Sequence, residues 1–341
     1  MVIVYRMKSS DFSVIESAGK TFKKSSKTFP NAVKTARLYK ANKKLKLIQD
    51  TKNPKFLRGA FSKGKPIGTR TNILPNGEKL DKAFSLFAPD LAIHNENSAG
   101  HWDVIFQNPS GKFAYLYTLD KKKLSKKQKY SRVRRFSKVL PKLKRNLTKA
   151  LGHDQIALPM QILLKTRMRI GNEMYYNKNG HKGLTTLKKH DVKISGSKVT
   201  FSYIAKDGVP QKTTETFSKK LVNELKKLLK RKKKKEFIFT SASSHPLKDV
   251  VFENAFEKYS GQRFYPHIVR SHYATQAAKD FLKKNKKPTK SQVKDLYNKI
   301  AEELGHKKFS KKNNDWETSY QVTLHHYIQP EIVEKIAKIT I

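Results

Sequence analysis

The 341-residue chain contains no cysteine and few acidic residues, and both shortages narrow its class. Without cysteine there are no disulfides and no cysteine-ligated zinc, which suits an intracellular protein. The chain has only 27 aspartates and glutamates but 74 lysines and arginines, which gives a formal net charge of +47. Such an excess repels itself unless a polyanion is bound, and it favours rapid association with phosphate backbones. Nucleic acid is therefore the expected partner, ahead of an anionic membrane surface.

Long apolar runs are also missing. No run approaches the roughly 20 residues that a membrane span needs, and the start, MVIVYRMKSSDF, has only a short apolar stretch and no small-residue cleavage site. We therefore expect neither a membrane span nor a signal peptide. Hydrophobic residues still make up 37% of the chain, enough for a packed core, and the length fits two domains. Basic charge alone would also suit a ribosomal or packaging protein, so composition leaves the class open.

The pattern of the first 127 residues predicts three segments. Residues 1–60 are rich in lysine and serine with weak periodicity, which is typical of a partly ordered basic extension. Residues 61–120 hold short alternating runs between turn signals and predict a small β-rich DNA-binding domain, in which WDVIFQ and KFAYLYT, separated by NPSG, form a hairpin. The run KKKLSKK at 121–127 indicates a solvated hinge.

Residues 128–341 predict a larger, mostly helical catalytic domain. Apolar residues at helical spacing run through YSRVRRFSKVL and the stretch after it. Residues 191–217 change to alternating segments with turns at GS and KDGVP, which indicates one small β-sheet, and helical patterns follow to the end. The fold class is therefore α+β, with a β-rich part followed by a helical part.

Five polar residues interrupt these regular elements in the second half of the chain. They are Arg169, Lys206, Arg270, His306 and Tyr327. These residue types suit a metal-free attack on a phosphodiester. Two guanidiniums grip the non-bridging oxygens, and a protonated histidine adds a donor. A lysine at a hairpin tip protonates the leaving oxygen, and a phenol attacks to form a phosphotyrosine.

Each candidate also has a plain structural explanation. Lys206 by itself fits a solvated surface lysine, and Arg169 can pair with Glu173 four residues on. His306 can simply end a helix, and His267 can cap the start of one. Residue types alone leave the catalytic and the structural explanations open.

The order of these residues resembles the type IB DNA topoisomerases of the poxvirus and giant-virus kind, and the similar bacterial enzymes. The stretch RIGNEMYYNKNGHKGLTTLKKHDVKISGSKVTFSYIAKDG looks like that family's segment from the first catalytic arginine to the catalytic lysine hairpin. HIVR, IAEELGH and HHYIQPEIVE resemble the boxes around the second arginine, the histidine and the nucleophilic tyrosine. The resemblance covers roughly residues 85–341.

The resemblance implies a mechanism. Arg169, Lys206, Arg270 and His306 would surround the scissile phosphate, and Tyr327 would attack it, giving a 3′-phosphotyrosyl enzyme and a free 5′-hydroxyl. Rotation of the open duplex would relax supercoils of either sign before religation, without ATP, metal or other cofactor. The catalytic domain would have the fold shared by tyrosine recombinases and type IB topoisomerases.

The resemblance also implies a partner and a place. The chain would act as a monomeric clamp around double-stranded DNA that closes at the hinge, inside cells, and in the virion and viral factory if the source is a virus. Tyr115 and Tyr117 lie where the family's β-domain has DNA-contacting aromatics. Arg132 and Arg135, on the first predicted helix, are further DNA-binding candidates. His267 would be a secondary phosphate contact, since His267-Ile-Val-Arg270 is also a pattern of tyrosine recombinases.

The chain departs from the family between its last two boxes. His306 and Tyr327 are 21 positions apart, longer than is usual, and the inserted KKFSKKNNDWETSYQV contains a rival, Tyr320. We favour Tyr327 because the Ile-Gln-Pro-Glu context follows it. The alternative function is a site-specific tyrosine recombinase, which shares the five-residue chemistry. GNE…GLTTL and the β-rich first part favour the topoisomerase. A non-enzymatic packaging protein explains the charge but not the ordered boxes.

Overall fold

The computed structural model describes residues 2–19, 21–94, 102–108 and 110–341. The chain divides into two compact units, which meet in sequence between Gln128 and Lys129. Each unit is described by itself.

The first unit is built mainly from short antiparallel strands. They are β1 Val4–Met7, β2 Val14–Ala18, β3 Thr21–Lys24, β4 Ala60–Ser62, β5 Lys65–Ile67, β6 Thr71–Ile73, β7 Lys79–Phe84, β8 Ala92–Ile93, β9 Val104–Gln107 and β10 Phe113–Leu116. A five-stranded sheet has the order β3-β2-β1-β4-β5, a three-stranded sheet the order β10-β9-β8, and β6 pairs with β7. The predicted hairpin is present as β9 and β10. Pro109, in its turn, lies outside the described residues.

The expectation of a basic extension at residues 1–60 is corrected by this sheet. β1 lies at its centre, and helix α1, Pro30–Ala41, packs with it. Met7 and Tyr39 are completely buried in the core of the first unit. The strands here are only four or five residues long, and lysines flank them, so the alternation was too brief to recognise in the sequence.

Most of the second unit is helical. Its helices are α2 Leu119–Ala150, which begins in the first unit, α3 Ala157–Thr166, α4 Glu173–Asn179, α5 Lys219–Lys230, α6 Asp249–Ser260, α7 Ile268–Lys284, α8 Lys290–Glu303, α9 Gln321–His326 and α10 Pro330–Ile339. The predicted hinge at 121–127 is helical and forms the first turns of α2. Ion pairs hold these turns, since Lys121 binds Asp103 at 2.9 Å and Lys122 binds Asp81 at 2.9 Å.

The predicted small sheet is present in the second unit. It consists of β11 Val192–Ser195, β12 Lys198–Ile204 and β13 Pro210–Thr216, in that order and antiparallel. The insertion after His306 forms a separate hairpin of β14 Lys307–Ser310 and β15 Asp315–Thr318. The α+β class and the division into a β-rich and a helical part are thus confirmed.

Two apolar clusters support the second unit. The larger joins α2, α3, α5 and α6 to the sheet, with Phe136, Phe201 and Phe256 completely buried. The smaller joins α7 and α8 to the last two helices and contains Tyr327 and Ile328. The candidate nucleophile therefore lies in a packed core and not on a loose tail.

Candidate active site

Arg270 lies on α7 and is almost completely buried, at 3% exposure. Its Nη1 donates to the carbonyl of Arg167 at 2.7 Å. Its Nη2 donates to the carbonyl of Leu304 at 2.7 Å and to Nε2 of His306 at 3.0 Å. Burial, and then the charge of Arg169, lower the pKa of Arg270 to about 10, so the guanidinium stays charged at neutral pH. The buried Nε has no hydrogen-bond partner among the described residues.

Arg167 helps to hold Arg270 in position, through its backbone carbonyl and through its side chain. It ends α3 in the left-handed conformation, with φ of 57°, and its own carbonyl is the one that Arg270 binds. Its guanidinium donates to Glu215 at 3.2 Å and to Glu303 at 2.9 Å, and it stacks 4.3 Å over the ring of Tyr273. Arg167 thus ties α3 to β13, α8 and α7 around the second arginine.

Arg169 lies in the extended segment after α3, which packs closely against residues 183–186. The carbonyl of Arg169 accepts from Leu184 N at 2.8 Å. A Cβ at Gly183 would lie 2.6 Å from that carbonyl, so this close approach requires glycine. Arg169 lines a small cavity together with Arg270, Tyr203 and Gln211. The expected pair of Arg169 with Glu173 does not form; Glu173 instead lies 3.0 Å from Nδ1 of His245.

Lys206 occupies the turn between β12 and β13 and is exposed. The turn is tight, since Asp207 has φ of 65° and Gly208 φ of 78°. The charge of Lys206 is among those that lower the pKa of His267, so the hairpin tip lies within electrostatic reach of the site. Its position at a hairpin tip agrees with the prediction; its catalytic role stays a prediction.

His306 follows α8 and is buried at 6% exposure. Burial, and then the charge of Arg270, lower its pKa to about 3. The expectation of a protonated histidine is therefore corrected for the free chain, in which the ring is neutral at pH 7. Gly305 before it has φ of 64°, and its carbonyl accepts from Gln211 Nε2 at 2.9 Å. The box of His306 is thus fastened to β13.

Tyr327 lies against three candidate site residues. Its ring centroid is 4.7 Å from that of His306 and 5.0 Å from that of His267, and the guanidinium of Arg270 lies 5.3 Å from it. The side chain is 4% exposed. The rival Tyr320 packs instead on Tyr297, with ring centroids 5.9 Å apart. The structure therefore brings Tyr327 to Arg270.

Three consecutive backbone carbonyls around Tyr327 each accept a hydrogen bond from a side chain. The carbonyl of residue 326 accepts from Lys129 Nζ, that of Tyr327 from Thr275 Oγ1 at 3.2 Å, and that of Ile328 from Tyr130 Oη at 2.6 Å. The donors come from α2 and α7. Sequence reasoning missed all three donors and also Arg167, because their partners lie far away in the chain and they carry no motif.

His267 precedes α7 and is half-buried beside Tyr327. It makes no side-chain cap to the helix, so the capping explanation is not what the structure has. Burial, and then Arg270, lower its pKa to about 3, which leaves the ring neutral. A neutral imidazole next to a phenol is able to accept a proton as well as to contact a phosphate.

The predicted DNA-contacting residues lie elsewhere. Tyr115 is exposed on β10 of the first unit, and Tyr117 follows that strand half-buried. Arg132 and Arg135 are exposed on α2 in the second unit. Their contacts with DNA stay predictions. In the described part of the chain, no helix is long and apolar enough to cross a membrane. No group of three or more histidine and acidic side chains among those same residues is arranged to hold a metal ion.

The buried guanidinium of Arg270 thus lies with two imidazoles and a phenol, and Arg169 lines the same small cavity as Arg270. Residues 119–335 match the sequence model of the eukaryotic DNA topoisomerase I catalytic core. This match spans more than half of the chain, which therefore belongs to the DNA topoisomerase I family. The resemblance inferred from the motifs is confirmed.

Two kinds of relative accompany the family match. The chain is 32% identical over 94 residues to DNA topoisomerase 1B of Acanthamoeba polyphaga mimivirus. Those residues are 25% of this chain and 27% of that protein, so the match spans about a quarter of the viral relative. A solved structure of the XerH site-specific recombinase bound to its difH substrate is 17% identical, covers 59% of this chain and 52% of its own, and has a TM-score of 0.37. A post-cleavage complex of XerH gives the same TM-score at 16% identity.

Proposed function

We propose that this protein is a type IB DNA topoisomerase that relaxes positive and negative supercoils without ATP or metal. The observation that carries the proposal is the contact of the Tyr327 phenol with a buried, charged Arg270 whose Nε is unpaired. A phosphodiester is the anion that suits this donor, and the phenol beside it is a nucleophile. Family membership supports the same reaction.

Each bond change can be assigned to a group. The phenolic oxygen of Tyr327 attacks phosphorus, and the bond to the 5′ oxygen breaks. Arg169 and Arg270 donate to the non-bridging oxygens as negative charge grows on them. Lys206 gives its proton to the departing 5′ oxygen. The neutral imidazole of His267, which lies beside the phenol, accepts the phenol proton. Religation reverses these transfers. Both steps exchange one phosphoester for another of similar energy, so no nucleotide is consumed.

The partner in this proposal is double-stranded DNA, bound by a monomer inside cells. The charge of +47 supports a polyanionic partner. The clamp-like mode of binding rests on the resemblance alone. Sedimentation of the chain with and without a short duplex tests the monomeric state.

Supercoiled plasmid in EDTA without ATP tests the activity directly. We expect a ladder of relaxed topoisomers, with no ladder for Tyr327→Phe and a full ladder for Tyr320→Phe. On a duplex that loses its short 5′-hydroxyl strand after cleavage, a 5′ label should stay with the protein in denaturing gels and a 3′ label should not. Relaxation by Tyr327→Phe would show that the nucleophile is a different residue.

The contact between His267 and Tyr327 favours one alternative, a site-specific tyrosine recombinase. In that case the protein would need paired target sites and would yield recombinant products. A plasmid that carries no chosen site and is relaxed catalytically argues against this alternative.

A further inference from the structure

Thr323 contacts both His306 and the nucleophile segment. It lies on α9, four residues before Tyr327, and is completely buried. Its hydroxyl lies 2.7 Å from Nδ1 of His306. Its carbonyl accepts from the backbone N–H groups of Tyr327 at 3.0 Å and of Ile328 at 3.3 Å. One side chain and its own carbonyl thus connect the candidate catalytic histidine to the candidate nucleophile.

The hydrogen bonds on both sides of the imidazole determine its tautomer. A guanidinium has donors and no acceptor, so the 3.0 Å contact requires a lone pair on Nε2 of His306. A neutral imidazole with a free Nε2 carries its proton on Nδ1. The Nδ1–H therefore donates to the hydroxyl of Thr323. In the other tautomer, an N–H of the ring would face an N–H of Arg270.

We propose that Thr323 is a positioning residue, which accepts Nδ1–H of His306, holds the ring with Nε2 toward Arg270, and so fixes the guanidinium against Tyr327 before DNA binds. In the free chain His306 then supports Arg270. The effect on cleavage rests on the proposed function; the tautomer does not depend on it.

The wild-type chain provides the first test. In long-range proton–nitrogen spectra of protein labelled with ¹⁵N at histidine, a protonated and an unprotonated ring nitrogen differ widely in shift. The signals of His306 are assigned by their loss in His306→Gln. We expect a protonated Nδ1 and an unprotonated Nε2. A wild-type His306 with its proton on Nε2 would overturn the proposal, whether or not any variant folds.

A matched pair of variants provides the second test. Thr323→Val keeps the shape but removes the acceptor, whereas Thr323→Ser keeps the hydroxyl. We expect Val to leave the buried Nδ1–H of His306 without an acceptor, to change the shifts of its ring nitrogens, and to slow single-turnover cleavage on the order of ten- to hundredfold, as for a buried donor left unpaired. Ser should restore the wild-type shifts and most of the rate.

Noncovalent affinity separates positioning from general damage. Thr323→Val in a Tyr327→Phe background should bind a short duplex as tightly as Tyr327→Phe alone. Equal loss of cleavage in Val and Ser, or unchanged cleavage in Val, would overturn the positioning role. If the wild-type chain forms no covalent adduct with DNA, the proposed function fails, while the spectra still decide whether His306 carries its proton on Nδ1, toward Thr323.

Discussion

The two sides of the candidate site differ in how far they are assembled in the free chain. Arg270, His306 and Tyr327 are buried and contact one another, and backbone carbonyls hold both the guanidinium and the nucleophile segment. Lys206, in contrast, is exposed at the tip of a hairpin. Groups that stabilise growing charge act best when already fixed, because nothing then has to reorganise during the reaction.

A proton donor has a different requirement. In the proposed mechanism Lys206 must reach the leaving oxygen only once DNA is bound, and it lies exposed on a tight turn until then. That mechanism therefore gives preorganisation to the buried side and delivery of the proton to the exposed side. Substitutions on the buried side and on the exposed side should therefore slow cleavage for different reasons.

The largest effect is expected at the exposed side. Lys206→Ala should lower single-turnover cleavage by about 10²–10⁴, the usual contribution of general acid catalysis. A duplex with sulfur in place of the 5′ bridging oxygen should restore most of the rate, since a thiolate leaves without protonation. The melting temperature should not change, because the side chain is exposed. If sulfur substitution gives no rescue, Lys206 is not the acid.

Arg270→Lys tests the buried side. Lysine keeps a charge but loses the fork that binds Leu304, Arg167 and His306 together. We expect cleavage to fall by about 10²–10³ on both the oxygen and the sulfur duplex. Arg270→Lys should also lower the melting temperature, which distinguishes it from Lys206→Ala. Rescue of Arg270→Lys by sulfur would remove the proposed difference between the two sides.

The sequence indicated the candidate reacting groups but not the residues that support them. Arg169, Lys206, Arg270, His306 and Tyr327 were recognisable because the chemistry needs these residue types and they occur in ordered boxes. The residues that support these groups form no pattern in the sequence. Arg167 offers a carbonyl through a left-handed turn, and Tyr130 reaches a carbonyl 198 residues away.

The ionisation of the histidines and the fold of residues 1–60 were likewise hidden. His306 looked like a cationic donor, but burial next to Arg270 keeps it neutral, and burial is a tertiary property. In residues 1–60, frequent lysines conceal strands of four or five residues, whose apolar side chains pack with α1 in the core of the first unit. A motif can be recognised from residues that are neighbours in the sequence, whereas the position and the pKa of a side chain depend on residues far away in the chain.

A smaller effect is expected from a support of the nucleophile. Tyr130→Phe removes the 2.6 Å bond to the carbonyl of Ile328 while keeping the ring in the core. We expect single-turnover cleavage to fall about tenfold, the equivalent of one buried hydrogen bond. Noncovalent DNA affinity should stay the same. Tyr176→Phe, whose ring packs on Phe237 away from these carbonyls, is the matched control. Equal losses in both variants would refute the role of Tyr130.

The last effect concerns stability and pH, and not the rate of cleavage. The pKa of His306 is about 3 in the folded chain against an ordinary value of 6.5, because burial and then Arg270 disfavour the charged ring. Above pH 6.5 the ring is neutral in both states and contributes no pH dependence. As the pH falls below 6.5, the unfolded chain takes up a proton that the folded chain refuses. The free energy of unfolding should therefore decrease, by up to about 1.4 kcal/mol per pH unit for this group.

Urea unfolding between pH 7 and 4.5 tests this contribution by comparing wild type with a variant, because His267 and His272, whose pKa values burial also lowers, contribute equally to both. His306→Gln keeps an acceptor for Arg270 and cannot titrate, so its unfolding free energy should decline less steeply than that of the wild type. His325→Gln, an exposed neighbour on α9, is the control. Parallel curves for wild type and His306→Gln would mean that folding leaves the pKa of His306 unchanged, so that the buried ring takes up a proton below about pH 6.5. The contrast between a preassembled buried side and an exposed lysine would then fail at low pH, because Arg270 would face a second cation and could not donate to Nε2.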